Sequence, residues 1–163
     1  MNIAARTGTT LLAIAVFPLL LEAGGCASYD GYTLKPGQAT SADVERVMGK
    51  PVETRKVRGQ TLLYYSREPN GGAIFVARIG PDDRLIDIED RLTDANVAKI
   101  APNVTTAGQV RNLLGPPWET GHYAVGNNTV WTWYMNSDPS ELDVRMSPDG
   151  VVREVLRLDP NDD

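Results

Sequence analysis

One cysteine, one histidine and two phenylalanines are all that this 163-residue chain has of those residue types. A solitary cysteine excludes an internal disulfide, so the fold must be held by its apolar core. A solitary histidine, His122, leaves no Cys/His cluster for a zinc site and no sequence partner that marks a triad. There is no Gly-x-Ser-x-Gly elbow and no phosphate-binding glycine loop. Basic residues are also few: sixteen against twenty-one acidic ones, a net charge of −5, with four lysines and twelve arginines scattered along the chain. That distribution excludes the basic stripe that nucleic acid or anionic lipid head groups require. The acidic residues Asp82, Asp83, Asp87, Glu89 and Asp90 lack calcium-loop spacing and read as a solvated face. Catalysis needs converging groups, and none converge in the sequence. A non-enzymatic protein without metal or cofactor is expected.

What the chain does have is a repeat. Pro36 to Thr54 recurs 66 residues later as Pro102 to Thr120, with seven of the 19 positions identical, against roughly one expected from average residue usage. The repeated residues read as structural punctuation. Gly37 and Asn103 share one turn position, and both types tolerate positive φ. Thr40 and Thr106 stand as helix N-caps; Gln109 completes a capping box in the second copy, while Asp43 fits it loosely in the first. Val44, Val47 and Met48, and likewise Val110, Leu113 and Leu114, fall at i, i+3, i+4 and give each short helix one apolar stripe. Gly49 and Gly115 suit a left-handed C′ position, and Pro51, Pro116 and Pro117 prevent continuation.

Strand periodicity follows each helix. The expected strands run over 53–57, 61–66, 73–79 and 85–90 in the first copy, and over 118–123, 129–135, 141–146 and 151–158 in the second. Turn residues separate them: Arg58-Gly59, Asn70 to Gly72 and Gly80 to Asp83, then Gly126 to Asn128 and Ser147 to Gly150. Each copy is therefore a helix followed by a four-strand antiparallel meander, an α+β module. A further short helix is expected over 93–100, capped by Thr93 and turning Val97 and Ile100 inward.

The only long apolar run lies near the N-terminus. Leu11 to Leu21, broken at Pro18, is too short to cross a hydrocarbon core of ~30 Å. With Arg6 before it and the small residues Ala23, Gly24 and Gly25 after it, the segment 1–25 reads as a signal peptide. Cys26 follows directly, and the junction resembles a bacterial lipobox, in which that cysteine becomes the acylated first residue of the mature chain. Ordinary cleavage would leave Cys26 as a free thiol instead. The resemblance implies outer-membrane sorting, because Ala27 and Ser28 follow the cysteine. Removing 1–25 leaves 138 residues, with the charge unchanged because Arg6 and Glu22 cancel. The mature chain divides into a tether at 26–33, a first module at 34–92, a second at 93–158 and an acidic tail at 159–163.

Leu34, Pro36, Gly37, Thr40, Val44, Met48, Gly49 and Pro51, followed by an aromatic strand and a terminal Asp-Gly hairpin, form a pattern that resembles the SmpA/OmlA domain of BamE-like outer-membrane lipoproteins. These are accessories of the β-barrel assembly machinery. The tandem arrangement also resembles the β-lactamase inhibitor protein, whose two such modules form one concave sheet that grips an enzyme. The resemblance implies two helix-plus-antiparallel-sheet modules forming one curved sheet with helices on one face. It further implies a lipid-anchored protein facing the periplasm, whose partner is an envelope protein such as the β-barrel assembly machinery. Capture of a soluble periplasmic enzyme, or binding of a cell-wall fragment, are the alternatives.

The candidate partner surface is aromatic. Trp131 and Trp133 alternate and so project from one sheet face, with Val130, Thr132 and Tyr134 on the other. If the Val130 face is inward, the two tryptophans join Trp118 and Tyr123 in an exposed aromatic surface suited to a protein partner. If the tryptophans are core, the opposite face is the open one.

Overall fold

The computed structural model describes residues 30–67, 72–123, 127–136 and 140–159. The signal segment 1–25, Cys26 and the tail from 160 onward lie outside the described residues, as do Asn70, Gly71 and Gly126 of the expected turns.

Both repeat helices begin with a closed capping box. In α1 (Ser41–Met48), the Asp43 amide donates to Thr40 Oγ1 at 3.2 Å and the Thr40 amide donates to Asp43 Oδ2 at 3.0 Å. In α3 (Ala107–Leu114), Gln109 and Thr106 make the same exchange, at 3.4 and 2.8 Å. The shorter Asp43 side chain thus closes its box fully, where the sequence pattern indicates only a loose fit. Gly37 and Asn103 both have positive φ, 75° and 63°, as their exchange requires. Gly49 and Gly115 end the helices at φ 86° with ψ −167° and −170°. That is an extended positive-φ conformation open essentially to glycine alone, rather than the left-handed helical well expected for a C′ glycine.

Four strands follow each helix. They are β1 (Glu53–Val57), β2 (Gln60–Ser66), β3 (Ile74–Ile79) and β4 (Leu85–Asp90), then β5 (Glu119–Tyr123), β6 (Asn128–Tyr134), β7 (Glu141–Met146) and β8 (Val152–Leu158). The short helix α2 (Asp94–Val97), capped by Thr93, joins the copies and buries Val97 and Ile100. Both meanders are antiparallel throughout and share their irregularities. A β-bulge falls at Arg78/Ile79 in one and at Arg145/Met146 in the other. Isolated bridges tie Thr40 to Arg84 and Thr106 to Val151. Even the cross-strand ion pair is repeated, as Arg78 with Asp87 and Arg145 with Glu154.

The packing differs from the single curved sheet with helices on one face that the resemblance implies. The ladders make two four-stranded sheets, β1–β4 and β5–β8, and none joins them among the described residues. Alternation gives the first sheet two faces, and both are covered. Leu63, Tyr65, Ala77 and Ile79 pack with Val44 and Met48 of α1. Leu62, Tyr64, Ile74 and Val76 face the other way and share a core with Val110 and Leu114 of α3 and with Trp133, Leu142, Val144 and Met146 of the second sheet. The order of layers is α1, first sheet, α3, second sheet. Helix α3 is thus enclosed between its own sheet and the back of the preceding one.

Polar contacts fix that position. Arg111 of α3 pairs with Glu53 of β1, its Nε donating to Oε1 at 3.2 Å. Arg55 donates to Asn112 Oδ1 at 2.8 Å, and Arg91 donates to the Asn112 carbonyl at 3.2 Å. A Cβ on Gly115 would lie 2.7 Å from Ile74 Cγ2 and 3.3 Å from Tyr64 Cδ1, whereas one on Gly49 would meet nothing within 4 Å. The two glycines share a backbone conformation but not a neighbour. Gly49→Ala should therefore cost only the backbone strain, ~1–3 kcal/mol. Gly115→Ala should cost about a further 1–3 kcal/mol through overpacking against the first sheet. Urea unfolding of both variants checks this, and equal losses would contradict the enclosed position of α3.

Candidate binding surface

The second sheet also has two faces, and its register identifies them. Trp131 pairs with Val144 and Trp133 with Leu142, on the side that meets α3. Trp133 has 0% exposure, and its indole Nε1 donates to the Pro116 carbonyl at 3.0 Å. Trp131 packs edge-on against it, ring centroids 6.1 Å apart, and the Arg111 guanidinium lies 5.8 Å from the Trp131 ring centroid. Of the two readings of this strand, the tryptophan-core one describes the structure.

The four aromatic candidates consequently form no common exposed surface. Trp118, 48% exposed, stands ahead of β5 beside Val52, Arg111, Pro116 and Pro117, in a cleft of about 320 Å³ between the copies. Tyr123, 50% exposed, projects from the opposite face of the sheet, 5.4 Å from the Arg145 guanidinium. The remaining sequence candidates are occupied structurally. His122 is exposed, with Nδ1 3.4 Å from Thr129 Oγ1. Asp87 accepts from Arg78 Nε at 2.6 Å, Glu89 pairs with Arg91, and Asp90 accepts from the Leu92 and Ile74 amides. Among the described residues no group of three or more His, Cys, Asp or Glu side chains could hold a metal ion.

The open surface is the other face of β5–β8. It carries Glu119, Gly121 and Tyr123 from β5, Val130, Thr132 and Tyr134 from β6, Glu141, Asp143 and Arg145 from β7, and Glu154, Leu156 and Leu158 from β8. Four carboxylates stand against one arginine, and Arg145 is already paired with Glu154 at 3.0 Å. Asp143 is only 6% exposed and accepts a 2.5 Å hydrogen bond from Thr132 Oγ1. Burial, and then the charges of Asp143 and Glu119, hold the Glu141 carboxyl above its ordinary range. The equivalent face of the first sheet has Tyr64, Ile74 and Val76 where this one has Thr132, Glu141 and Asp143. The duplicated register thus contained a signal not drawn from the sequence. The covered back face is apolar, and its open counterpart has become acidic.

No family model matches the chain, and no curated protein matches it. Among solved structures, the crystal structure of a DUF4309 family protein (YjgB) from Bacillus subtilis is similar over 75% of this chain and 79% of that one, at 16% identity and a TM-score of 0.31.

Enclosure of Trp133 and exposure of Trp118 give opposite expectations. Trp133→Ala should lose ~3–5 kcal/mol and lower the Tm by roughly ten degrees or more. Trp118→Ala should stay within about 1 kcal/mol of the parent. Thermal unfolding followed by circular dichroism distinguishes them, and an unchanged Tm for Trp133→Ala would contradict the assignment of faces.

Proposed function

We propose that this chain is a non-enzymatic lipoprotein, anchored through Cys26 to the periplasmic side of the outer membrane, that binds another envelope protein and supports outer-membrane assembly or envelope integrity. The observation that carries the binding role is the open, acidic, partly aromatic face of β5–β8, held on a rigid sheet whose opposite side is core. Presentation on a packed sheet lowers the ordering cost of association, and the half-exposed Tyr123 supplies an aromatic anchor. The SmpA/OmlA-like pattern of the repeat and the lipobox-like junction supply the compartment.

The chain between anchor and first module supports the same orientation. A tether is expected over 26–33, yet Gly31 is already docked: a Cβ there would lie 2.5 Å from Ile88 Cδ1 and 3.0 Å from Met48 Sδ. The Leu34 amide also donates to the Gly31 carbonyl at 2.8 Å. Four residues lie between Cys26 and Gly31, so five Cα-to-Cα steps give a reach of at most about 18 Å. An anchor at Cys26 would lie within that reach of the α1 side, where Gly31 is docked. The open face lies three layers away, on the order of 30 Å farther from the lipid at ~10 Å per layer. A partner in the periplasm reaches it without competing with the membrane.

Fractionation of envelopes tests this directly. The C-terminally tagged chain should sediment with membranes, begin at an acylated Cys26 by mass spectrometry, and carry an envelope protein through gentle detergent purification. Cys26→Ser should move it to the soluble fraction. A wild-type chain that is soluble with a free Cys26 thiol would overturn the anchor.

A further inference from the structure

We infer that the open face of β5–β8 is a docking site for a cationic amphipathic helix of a partner protein, seated there as α3 is seated on β1–β4. The inference rests on the binding role proposed above and specifies its surface and partner chemistry.

The duplication supplies the template. On the first sheet the back face receives a helix whose Arg111 pairs with Glu53 at the start of β1. The residue at the same place in β5 is Glu119, conserved between the copies within the chain but with no arginine or lysine paired to it among the described residues. Glu141 is in the same condition, and Asp143 lies beside it at the position of Val76. Val130 keeps an apolar side chain where Leu62 stands, and Tyr134 and Leu156 add apolar surface where Ser66 and Glu89 stand. On its two central strands the face has exchanged Tyr64 and Val76 for Thr132 and Asp143, and it keeps apolar side chains around them at Val130, Tyr134 and Leu156. Terminal repeats of stacked modules make this exchange to remain soluble when nothing follows them. A face that only needed solubility could carry either sign of charge. Here the carboxylates outnumber the arginine four to one, and the electrostatic complement is a cation-bearing helix.

A second copy of this chain is not that partner. Its available repeat helix is α1, which has Glu45 at the position of Arg111 and would bring a carboxylate onto Glu119. Like charges at that point oppose stacking of one chain on another, so the open face is left for a different protein.

Calorimetric titration of the full mature chain tests the inference. The probe is an 18-residue helical peptide with leucine on one face and arginine on the other, compared with its leucine/glutamate counterpart. One-to-one micromolar binding of the arginine peptide and none of the glutamate peptide are expected. Glu119→Lys with Glu141→Lys should weaken binding at least about tenfold, and Glu119→Gln with Glu141→Gln should weaken it less. Asp82→Lys with Asp83→Lys, the same change of net charge on the β3–β4 hairpin, should leave the affinity unchanged. Absence of binding, equal binding of both peptides, or equal weakening by the two lysine pairs would overturn the inference. The envelope purification separates this from the binding role itself. If a partner is retained by the wild type and equally by the Glu119→Lys, Glu141→Lys chain, the binding role stands and this face is wrong. If the peptide behaves as expected while no envelope protein is retained, the face stands and the proposed envelope role fails.

Discussion

Helix α3 has to satisfy two sheets at once, and most of the structure follows from that constraint. Val110 and Leu114 lie in one continuous core with Tyr64, Ile74 and Val76 behind them and Trp133, Leu142 and Val144 in front. Arg111 serves both sides, pairing with Glu53 of the first sheet while its guanidinium lies near the Trp131 ring of the second. Gly115 lets the helix end approach Ile74 more closely than any side chain would allow. None of this is asked of α1, which among the described residues has a sheet on one side only. The same repeat position therefore holds Glu45 in α1 and Arg111 in α3, and the same glycine conformation is open in one copy and crowded in the other.

Divergence between the copies then has a physical direction. The first sheet is buried on both faces, so its back-face positions are apolar, while the second sheet ends the stack and its back face meets water. Exposed apolar area there would invite aggregation, and Thr132, Glu141 and Asp143 replace the apolar residues. Bulges, capping boxes and the arginine–carboxylate cross-strand pair are retained in both copies because they shape the module rather than its neighbours. A stack with Gly31 docked at the α1 end and its polar face at the other has two chemically different poles. That polarity is what the proposed tethered binding role requires, with one end for the anchor and the other for the partner.

Much of the module was legible in the sequence, for reasons that can be named. Strands 53–57, 85–90 and 141–146 match their expected bounds, and the others shift by one residue, because glycine, proline and asparagine turns bracket them. The caps at Thr40, Thr93 and Thr106 were visible from residue type and spacing. The relation between the modules was not. Period-two alternation assigns residues to two faces but does not say what covers each, so the Trp131/Trp133 face had two readings until α3 was placed. One curved sheet was expected from the resemblance to the tandem-module inhibitor, and nothing in a strand's pattern announces a helix from the next module on its far side. Gly115 looks identical to Gly49 in sequence; only the three-dimensional neighbours Ile74 and Tyr64 separate them. Comparing Tyr64, Ile74 and Val76 with Thr132, Glu141 and Asp143 would have indicated which sheet ends the stack.

The most direct measurement of the enclosed α3 is equilibrium urea unfolding of the mature chain followed by two probes. Trp118, Trp131 and Trp133 all belong to the second copy, so tryptophan fluorescence reports that copy alone, while far-ultraviolet circular dichroism reports both. A helix shared between the two sheets makes them one cooperative unit, and the two curves should coincide with a single midpoint and slope. A circular dichroism curve with two steps, only one of them matched by the fluorescence, would mean that the modules unfold independently and that α3 does not hold them together.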